Sequence, residues 1–182
     1  NRKTLIADIG TGACQVSIYD KGQLCFTQTN RIGTLRIFEE LPSVVSSPGM
    51  TQLMWPFIKR SFVELEHFAS SLNADGLVAM GSSVRALARF KKKLKLKEKS
   101  FRLQKEDFNE IYKSATARSP EQIVREFGIA PAIAEAITPC CLILEYLFKL
   151  TGASELVIPM TSTKDALLRD FINETMSGKD HF

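Results

Sequence analysis

The sequence is poor in the residues that most often carry catalysis or hold metals. Its 182 residues include two histidines, His67 and His181, one tryptophan and four cysteines. Neither histidine has a Ser, Cys or Asp spacing that would build a nucleophilic triad. His67 is expected on the polar side of a helix and His181 in a fraying tail. Trp55 is expected to pack at the edge of a core. The cysteines show no C-x-x-C pair and no Cys/His ligand spacing, which excludes a zinc framework, and Cys14, Cys25, Cys140 and Cys141 read as free, buried thiols. Long apolar runs are missing as well. The run Cys140 to Leu144 falls far short of the roughly 20 residues that cross a bilayer, and the N-terminus lacks the apolar core of a signal peptide. A cytoplasmic location and no membrane partner are the expectations.

What is present is an ordinary globular composition, 45% hydrophobic, with a net charge of +4 that is unevenly spread. Between Arg85 and Lys105 ten Lys or Arg stand against one acid, Glu98, so the remainder of the chain is acidic on balance. The densest part, Lys91 to Lys99, is either a solvated loop or an attractor for polyanions such as nucleic acid, polyphosphate or highly phosphorylated nucleotides.

The apolar pattern predicts an α/β protein. "TLIAD", "QVSIYD" and "QLCFTQTNRI" have strand-like content, and a turn at Asp20-Lys21-Gly22 makes them a three-stranded antiparallel meander. A short helix is expected over Thr34 to Leu41, then a loop over Pro42 to Gly49. Met54, Phe57, Ile58, Ser61, Phe62, Leu65, Phe68, Ala69 and Leu72 recur at helical spacing and predict one long amphipathic helix covering the sheet. A turn at Asp75-Gly76 opens a buried strand, Leu77 to Met80. Gly81-Ser82-Ser83 then leads into a helix that packs through Val84, Leu87 and Ala88. Helices are expected from Lys105 to Thr116 and from Pro120 to Phe127, and a buried central one from Ala132 to Leu150. "ELVIPM" reads as a last strand and Thr163 to Ile172 as a closing helix. This order predicts a mixed sheet with helices on its faces.

Two bends carry the functional argument. "DIGTGACQ" lacks the third glycine and the following helix of a dinucleotide fingerprint, and lacks the Gly-Lys-Ser/Thr of a Walker loop. Either it is a plain hairpin with glycines at strained positions, or its amides at Gly10, Thr11 and Gly12 approach a phosphate, with Asp8 placed to hold Mg²⁺. The second bend, Gly81-Ser82-Ser83, offers further amides, two hydroxyls and a helix N-terminus to an anion.

The stretch "LIADIGTGACQVSIYDKGQLCFTQTNRIGTLRI" resembles the opening of the second domain of the exopolyphosphatase / guanosine pentaphosphate phosphohydrolase (Ppx/GppA) family. Its typical string there is D-I-G-G-G-S-T-E, followed by a hairpin and Leu-Gly-x-x-Arg-Leu. "LVAMGSSVRALARF" is similar to the family's strand-Gly-Gly-Thr segment, and "LILEYLFKLTGASELVIPMTSTKDALLRDFI" to its buried helix, strand and terminal Leu-Arg-Glu-Gly-Leu-Leu signature. The likeness runs from about residue 4 to 173.

The resemblance implies the ribonuclease-H-like fold of the actin, acetate kinase and sugar kinase superfamily, with residues 1–182 as one such domain. It also implies release of terminal phosphate from polyphosphate or guanosine penta/tetraphosphate by Mg²⁺-assisted attack of water. Carried over, Asp8 would assist the metal, Gly10, Thr11 and Gly12 would line one phosphate loop, and Gly81, Ser82 and Ser83 the other. The general-base glutamate belongs to a preceding domain, so no catalytic residue is expected within these 182 residues. The chain is expected to be a fragment, inactive alone, whose partner is an upstream domain of the same protein; a homodimer is left open. Departures bear on activity. Ala13-Cys14-Gln15 stands where the family has Ser-Thr-Glu, Ser82-Ser83 replaces Gly-Thr, and Lys164-Asp165-Ala166 replaces Arg-Glu-Gly. The alternative is a degenerate relative that binds a phosphorylated nucleotide, polyphosphate or a protein without hydrolysis.

Overall fold

The structure is a computed structural model that describes residues 3–41, 50–69, 76–96, 102–161 and 163–176. Thr4–Ile9 (β1), Cys14–Asp20 (β2) and Gln23–Asn30 (β3) form the expected antiparallel meander. Leu5, Ala7 and Ile9 of β1 and Cys14, Val16 and Ile18 of β2 are all buried, the two-residue period of strands that press one face onto a core. Lys21 and Gly22 both have positive φ, 51° and 81°, the conformation a two-residue hairpin turn requires.

The sheet continues through Gly76–Met80 (β4), Arg102–Gln104 (β5) and Glu155–Val157 (β6) in the order β3-β2-β1-β4-β6-β5. β4 is parallel to β1 and β6 is parallel to β4, whereas β5 is an antiparallel edge strand. β5 has no counterpart in the sequence reading. It is three residues long with only Leu103 buried, too short to show alternation. It is pinned to β6 by an ion pair between Arg102 and Glu155.

Arg36–Glu40 (α1) lies within the expected short helix. The single long helix expected next is instead two, Met50–Ser61 (α2) and Val63–Ala69 (α3). At the break the Ser61 hydroxyl donates to the Phe57 carbonyl at 2.9 Å, and Phe62 N–H reaches back three residues to Lys59 O at 3.2 Å. A hydroxyl returning to the i−4 carbonyl competes with the backbone ladder and bends helices. The apolar face passes through the break undisturbed, with Met54, Ile58, Phe62 and Leu65 all fully buried. Trp55 sits at the core edge as expected, edge-on to Tyr146 at 6.1 Å. The expected loop at Pro42 to Gly49, together with Leu72, Asp75 and His181, lies outside the described residues, as do the side chains of His67, Phe68 and Ala69.

Ser82–Lys93 (α4) buries Ser83, Val84, Leu87 and Phe90. Ala88, assigned to that face from sequence, is exposed. The helix runs on through Lys91, Lys92 and Lys93, so the first part of the basic cluster is not a solvated loop but a last helical turn, where cations oppose the negative end of the helix dipole. Lys91 donates to the Arg102 carbonyl at 2.8 Å, tying that turn to β5. Lys97 and Lys99 lie outside the described residues.

Lys105–Thr116 (α5) and Pro120–Phe127 (α6) match the sequence boundaries. α6 begins with a reciprocal Ser119–Gln122 capping box and ends at Gly128 in the left-handed region, a start and stop written in the sequence. The central helix Pro131–Thr151 (α7) packs against α2, α4, α5 and α6. By length and composition α7 is apolar enough to cross a membrane, yet 72% of its most apolar window is buried within the protein. Thr163–Met176 (α8) extends past the expected Ile172, and its described side chains face solvent.

Candidate functional site

The two glycine-bearing bends, some 70 positions apart in the chain, meet at one end of the sheet. β1 and β4 are parallel neighbours with Asp8 opposite Met80, so the turn after β1 and the turn after β4 leave the sheet on the same edge. They touch there. A Cβ built on Gly81 would stand 2.3 Å from the Ile9 carbonyl oxygen, and Gly81 has φ +132°; glycine alone satisfies both the contact and the backbone conformation.

The first bend is a tight one, with Gly10 N–H donating to Ala13 O at 2.9 Å. Its carbonyls are held from behind by the segment that follows β3. Thr34 N–H donates to Gly10 O at 3.0 Å, Leu35 and Arg36 N–H donate to Thr11 O at 3.0 and 3.1 Å, and Arg36 Nε donates to Gly12 O at 2.9 Å. With the carbonyls turned to that segment, the amides at the tip face the other way. Gly10, Thr11 and Gly12 are exposed, and no backbone carbonyl among the described residues accepts from Thr11 or Gly12 N–H. Gly33 makes the clasp possible, because a Cβ there would lie 2.2 Å from Thr11 O. The Ile32 to Ile37 stretch therefore acts as a brace on the turn. Its residues were visible in the sequence, but the bracing was not.

The second bend leads directly into α4, whose N-terminus carries no side-chain cap. Ser82 is exposed and Ser83 is buried, 4% accessible. The first-turn amides of a helix lack intrahelical acceptors and sit at the positive end of its dipole. Two sets of backbone donors thus sit on one edge of the molecule, and they suit an anion.

Asp8 is half-buried on β1, one residue before the contact. Its carboxylate adds to burial in holding the Cys14 thiol protonated: burial, and after it the charge of Asp8, push Cys14 up to about 12. Gln15 stands directly across the ladder from Asp8 and is exposed. A glutamate at position 15 would pair two carboxylates; this chain has one carboxylate and a neutral amide. Among the described residues no three His, Cys, Asp or Glu gather as a metal cage. A single carboxylate beside an edge of backbone donors has the chemistry to fit Mg²⁺, which keeps several waters and takes one or two carboxylates, its remaining positions open to the oxygens of a bound anion.

Lys91, Lys92 and Lys93 lie at the opposite end of α4 from this edge, about 14 Å or more along the helix axis, and Arg89 of the same helix donates to the Gly128 carbonyl at 2.7 Å.

No protein-family model and no curated protein sequence matches the chain. Solved structures do. It superposes on an exopolyphosphatase from Cytophaga hutchinsonii with a TM-score of 0.84 at 20% identity, over 95% of this chain and 58% of that one. It superposes on the Aquifex aeolicus member of the Ppx/GppA family with a TM-score of 0.75 at 13% identity, over 96% of this chain and 57% of that one. An exopolyphosphatase-like protein gives 0.77 at 14% identity, covering 96% and 59%. The chain has the ribonuclease-H-like fold of these proteins and spans under three fifths of their length.

Proposed function

We propose that the chain is the phosphate-binding half of a Ppx/GppA-type phosphoanhydride hydrolase, and that an upstream domain of the same protein completes the cleft and supplies the general base. The observation that carries this reading is the contact of Gly81 with the Ile9 carbonyl, which sets two groups of backbone donors side by side next to Asp8. The substrate is polyphosphate or a guanosine penta- or tetraphosphate. The amides of Thr11, Gly12, Ser82 and Ser83 grip the terminal phosphoryl group, and the Ser82 hydroxyl adds a donor. Phosphoryl transfer is catalysed chiefly by positioning and by neutralising charge on the equatorial oxygens, so backbone donors suit the task. Asp8, together with phosphate oxygens and water, would hold Mg²⁺, which supplies that neutralisation when bound.

One observation favours a second reading. The residue across the ladder from Asp8 is Gln15, which can be neither an anionic metal ligand nor a base. A chain built so would bind the phosphorylated ligand and release nothing. Phosphate release from polyphosphate and from pppGpp, measured side by side in Mg²⁺, separates the two. Turnover by a longer protein carrying the preceding domain, and none by this chain alone, is the expected result. Tight binding without release by both would establish the non-catalytic reading, and no binding by either would end both.

A further inference from the structure

Between α2, α5 and α7 lies a recess of about 480 Å³, within the range of about 300–1,000 Å³ that small-ligand sites take. Its walls are the Trp55 indole, the Pro56 ring, the Tyr112 phenol and Leu142, flat or apolar surfaces that suit a planar ring. Trp55 is already held, edge-on to Tyr146 at 6.1 Å and with the Lys149 ammonium over its ring at 4.5 Å. The polar groups converge on one carboxylate, Glu145, whose side chain is 17% exposed. Lys105 pairs with one of its oxygens and Lys149 with the other at 3.4 Å, so two ammonium groups face one carboxylate and the trio keeps one positive charge. Thr51 and Gln52, which also line the recess, belong to the first turn of α2, the positive end of a helix that carries no acid in that turn. Burial, and after it the charge of Glu145, raise the Tyr112 phenol above its ordinary value, so it remains a hydroxyl donor at neutral pH. Lys105 follows β5, whose Gln104 pairs with Glu155 at the start of β6, and β6 runs parallel to β4. The charged trio is therefore anchored at the end of the sheet opposite the glycine bends.

We propose that this recess binds a planar aromatic ring carrying a single carboxylate, with the ring against Trp55, Pro56, Tyr112 and Leu142 and the carboxylate on the Lys149 ammonium and the Tyr112 hydroxyl. The charge pattern selects that class. A cationic ring finds Glu145 already paired with two ammonium groups and meets their surplus charge. A neutral ring gains the walls but leaves that charge unmatched. An ammonium–carboxylate hydrogen bond is charge-assisted and stronger than its neutral counterpart. A polyphosphate lacks the apolar body that the walls require, so the site differs in chemistry as well as in position from the edge of backbone donors, and it stands or falls independently of that edge.

The chain has one tryptophan, so the Trp55 indole NMR resonance reports on the recess directly. The test titrates the 182-residue chain with naphthoate, naphthylmethanol and naphthylmethylammonium, which share one ring system and differ in charge, following Trp55 by NMR and affinity by calorimetry. Naphthoate is expected to move the Trp55 resonance and to bind about tenfold more tightly than the alcohol, with the ammonium weaker than both. Lys149→Gln should bring naphthoate down to the affinity of the alcohol and leave the alcohol unchanged. Tyr112→Phe, which keeps the wall and removes the hydroxyl, should weaken naphthoate about threefold. Phe171→Ser, on the exposed α8, controls for adhesion of the ring elsewhere and should change nothing. Equal affinities for naphthoate and the alcohol, unaltered by Lys149→Gln, would reduce the recess to an apolar patch and overturn the proposal. Preference for the ammonium would overturn it by making Glu145 the recognition group. A Trp55 resonance that stays still under all three, or binding that Phe171→Ser abolishes, would remove the recess as the site.

Discussion

Gly81 rests on the carbonyl of Ile9, with space for no side chain between them: a Cβ would stand 2.3 Å from that oxygen, at a φ of +132°. Gly81→Ala therefore meets backbone, which cannot swing aside, and adopts a conformation that L-residues rarely take. The expected loss is about 2–4 kcal/mol of stability, read as a lowered denaturation midpoint. Ser82→Ala, one residue on and exposed, should leave the midpoint within about 0.5 kcal/mol. If both variants unfold alike, the contact between the bends is not what the structure describes.

Gly12 and Gly33 make the opposite pair. A Cβ on Gly12 meets nothing within 4 Å and its φ is ordinary, whereas one on Gly33 would lie 2.2 Å from Thr11 O. Gly33→Ala is expected to destabilise the chain by about 1–3 kcal/mol, because the brace cannot close. Gly12→Ala should fold normally and yet weaken orthophosphate binding, since the added methyl shields the exposed amides. Calorimetry on Gly12→Ala thus separates function from stability, and unchanged binding would argue against the turn as a phosphate contact.

These contrasts show where a sequence informs and where it stops. A glycine marks a bend locally because its backbone is permissive, yet of positions 10, 12 and 81 only Gly81 takes a positive φ, +132°. That two of the bends meet depends on the parallel register of β1 and β4, a pairing across some 70 residues that no local pattern encodes. Helices α5 and α6 were legible because each has a helical apolar period, and α6 also carries its own start signal at Ser119 and Pro120. The break at Phe62 was not, because the buried face continues through it and only a hydroxyl bond at Ser61 interrupts the ladder. Arg31, Arg36 and Arg60 line one recess, positions that look unrelated until the fold brings them together.

Asp8 and Gln15 occupy facing positions of one ladder. Gln15→Glu would set a second carboxylate beside the first, and paired carboxylates repel unless a cation lies between them. The variant is expected to bind Mg²⁺ about tenfold more tightly and to melt lower than the parent without Mg²⁺ but not with it. Asp8→Asn should lose any Mg²⁺-dependent shift in melting temperature. A Mg²⁺ response that survives Asp8→Asn would remove Asp8 as the ligand.

Three of the four cysteines are buried, and Cys25 is exposed. Burial pushes Cys14 and Cys141 up to about 12, and Cys140 well above its ordinary value. The native state holds these protons more tightly than the unfolded chain, whose thiols titrate near 8.5. Their contribution to stability is therefore intact below about pH 8.5 and is lost as pH rises toward about 12, with a slope of about 1.4 kcal/mol per pH unit for each thiol. Denaturation midpoints measured from pH 8 to 11 should fall accordingly. A thiol reagent at pH 8 should label Cys25 alone in the folded chain and all four after unfolding; rapid labelling of Cys140 or Cys141 without denaturant would contradict their burial.

Helix α8, expected from sequence as a closing helix, lies on the surface in the structure. Phe171 is 67% exposed and Leu168 59%, while Phe62, at the break between α2 and α3, is fully buried and stacks on Tyr146 at a ring separation of 5.2 Å. Apolar area that water already reaches contributes little to folding, whereas removing a buried ring forfeits its transfer free energy and leaves a cavity. Phe171→Ser is accordingly expected to change stability by no more than about 0.5 kcal/mol, against a loss of about 3–5 kcal/mol for Phe62→Ala. Amides of α8 should also exchange with solvent far faster than those of α7, which is packed on α2, α3, α4, α5 and α6. A large destabilisation by Phe171→Ser would mean that α8 folds back onto the sheet in solution, so the pair of variants tests the placement of this helix as directly as it tests the core.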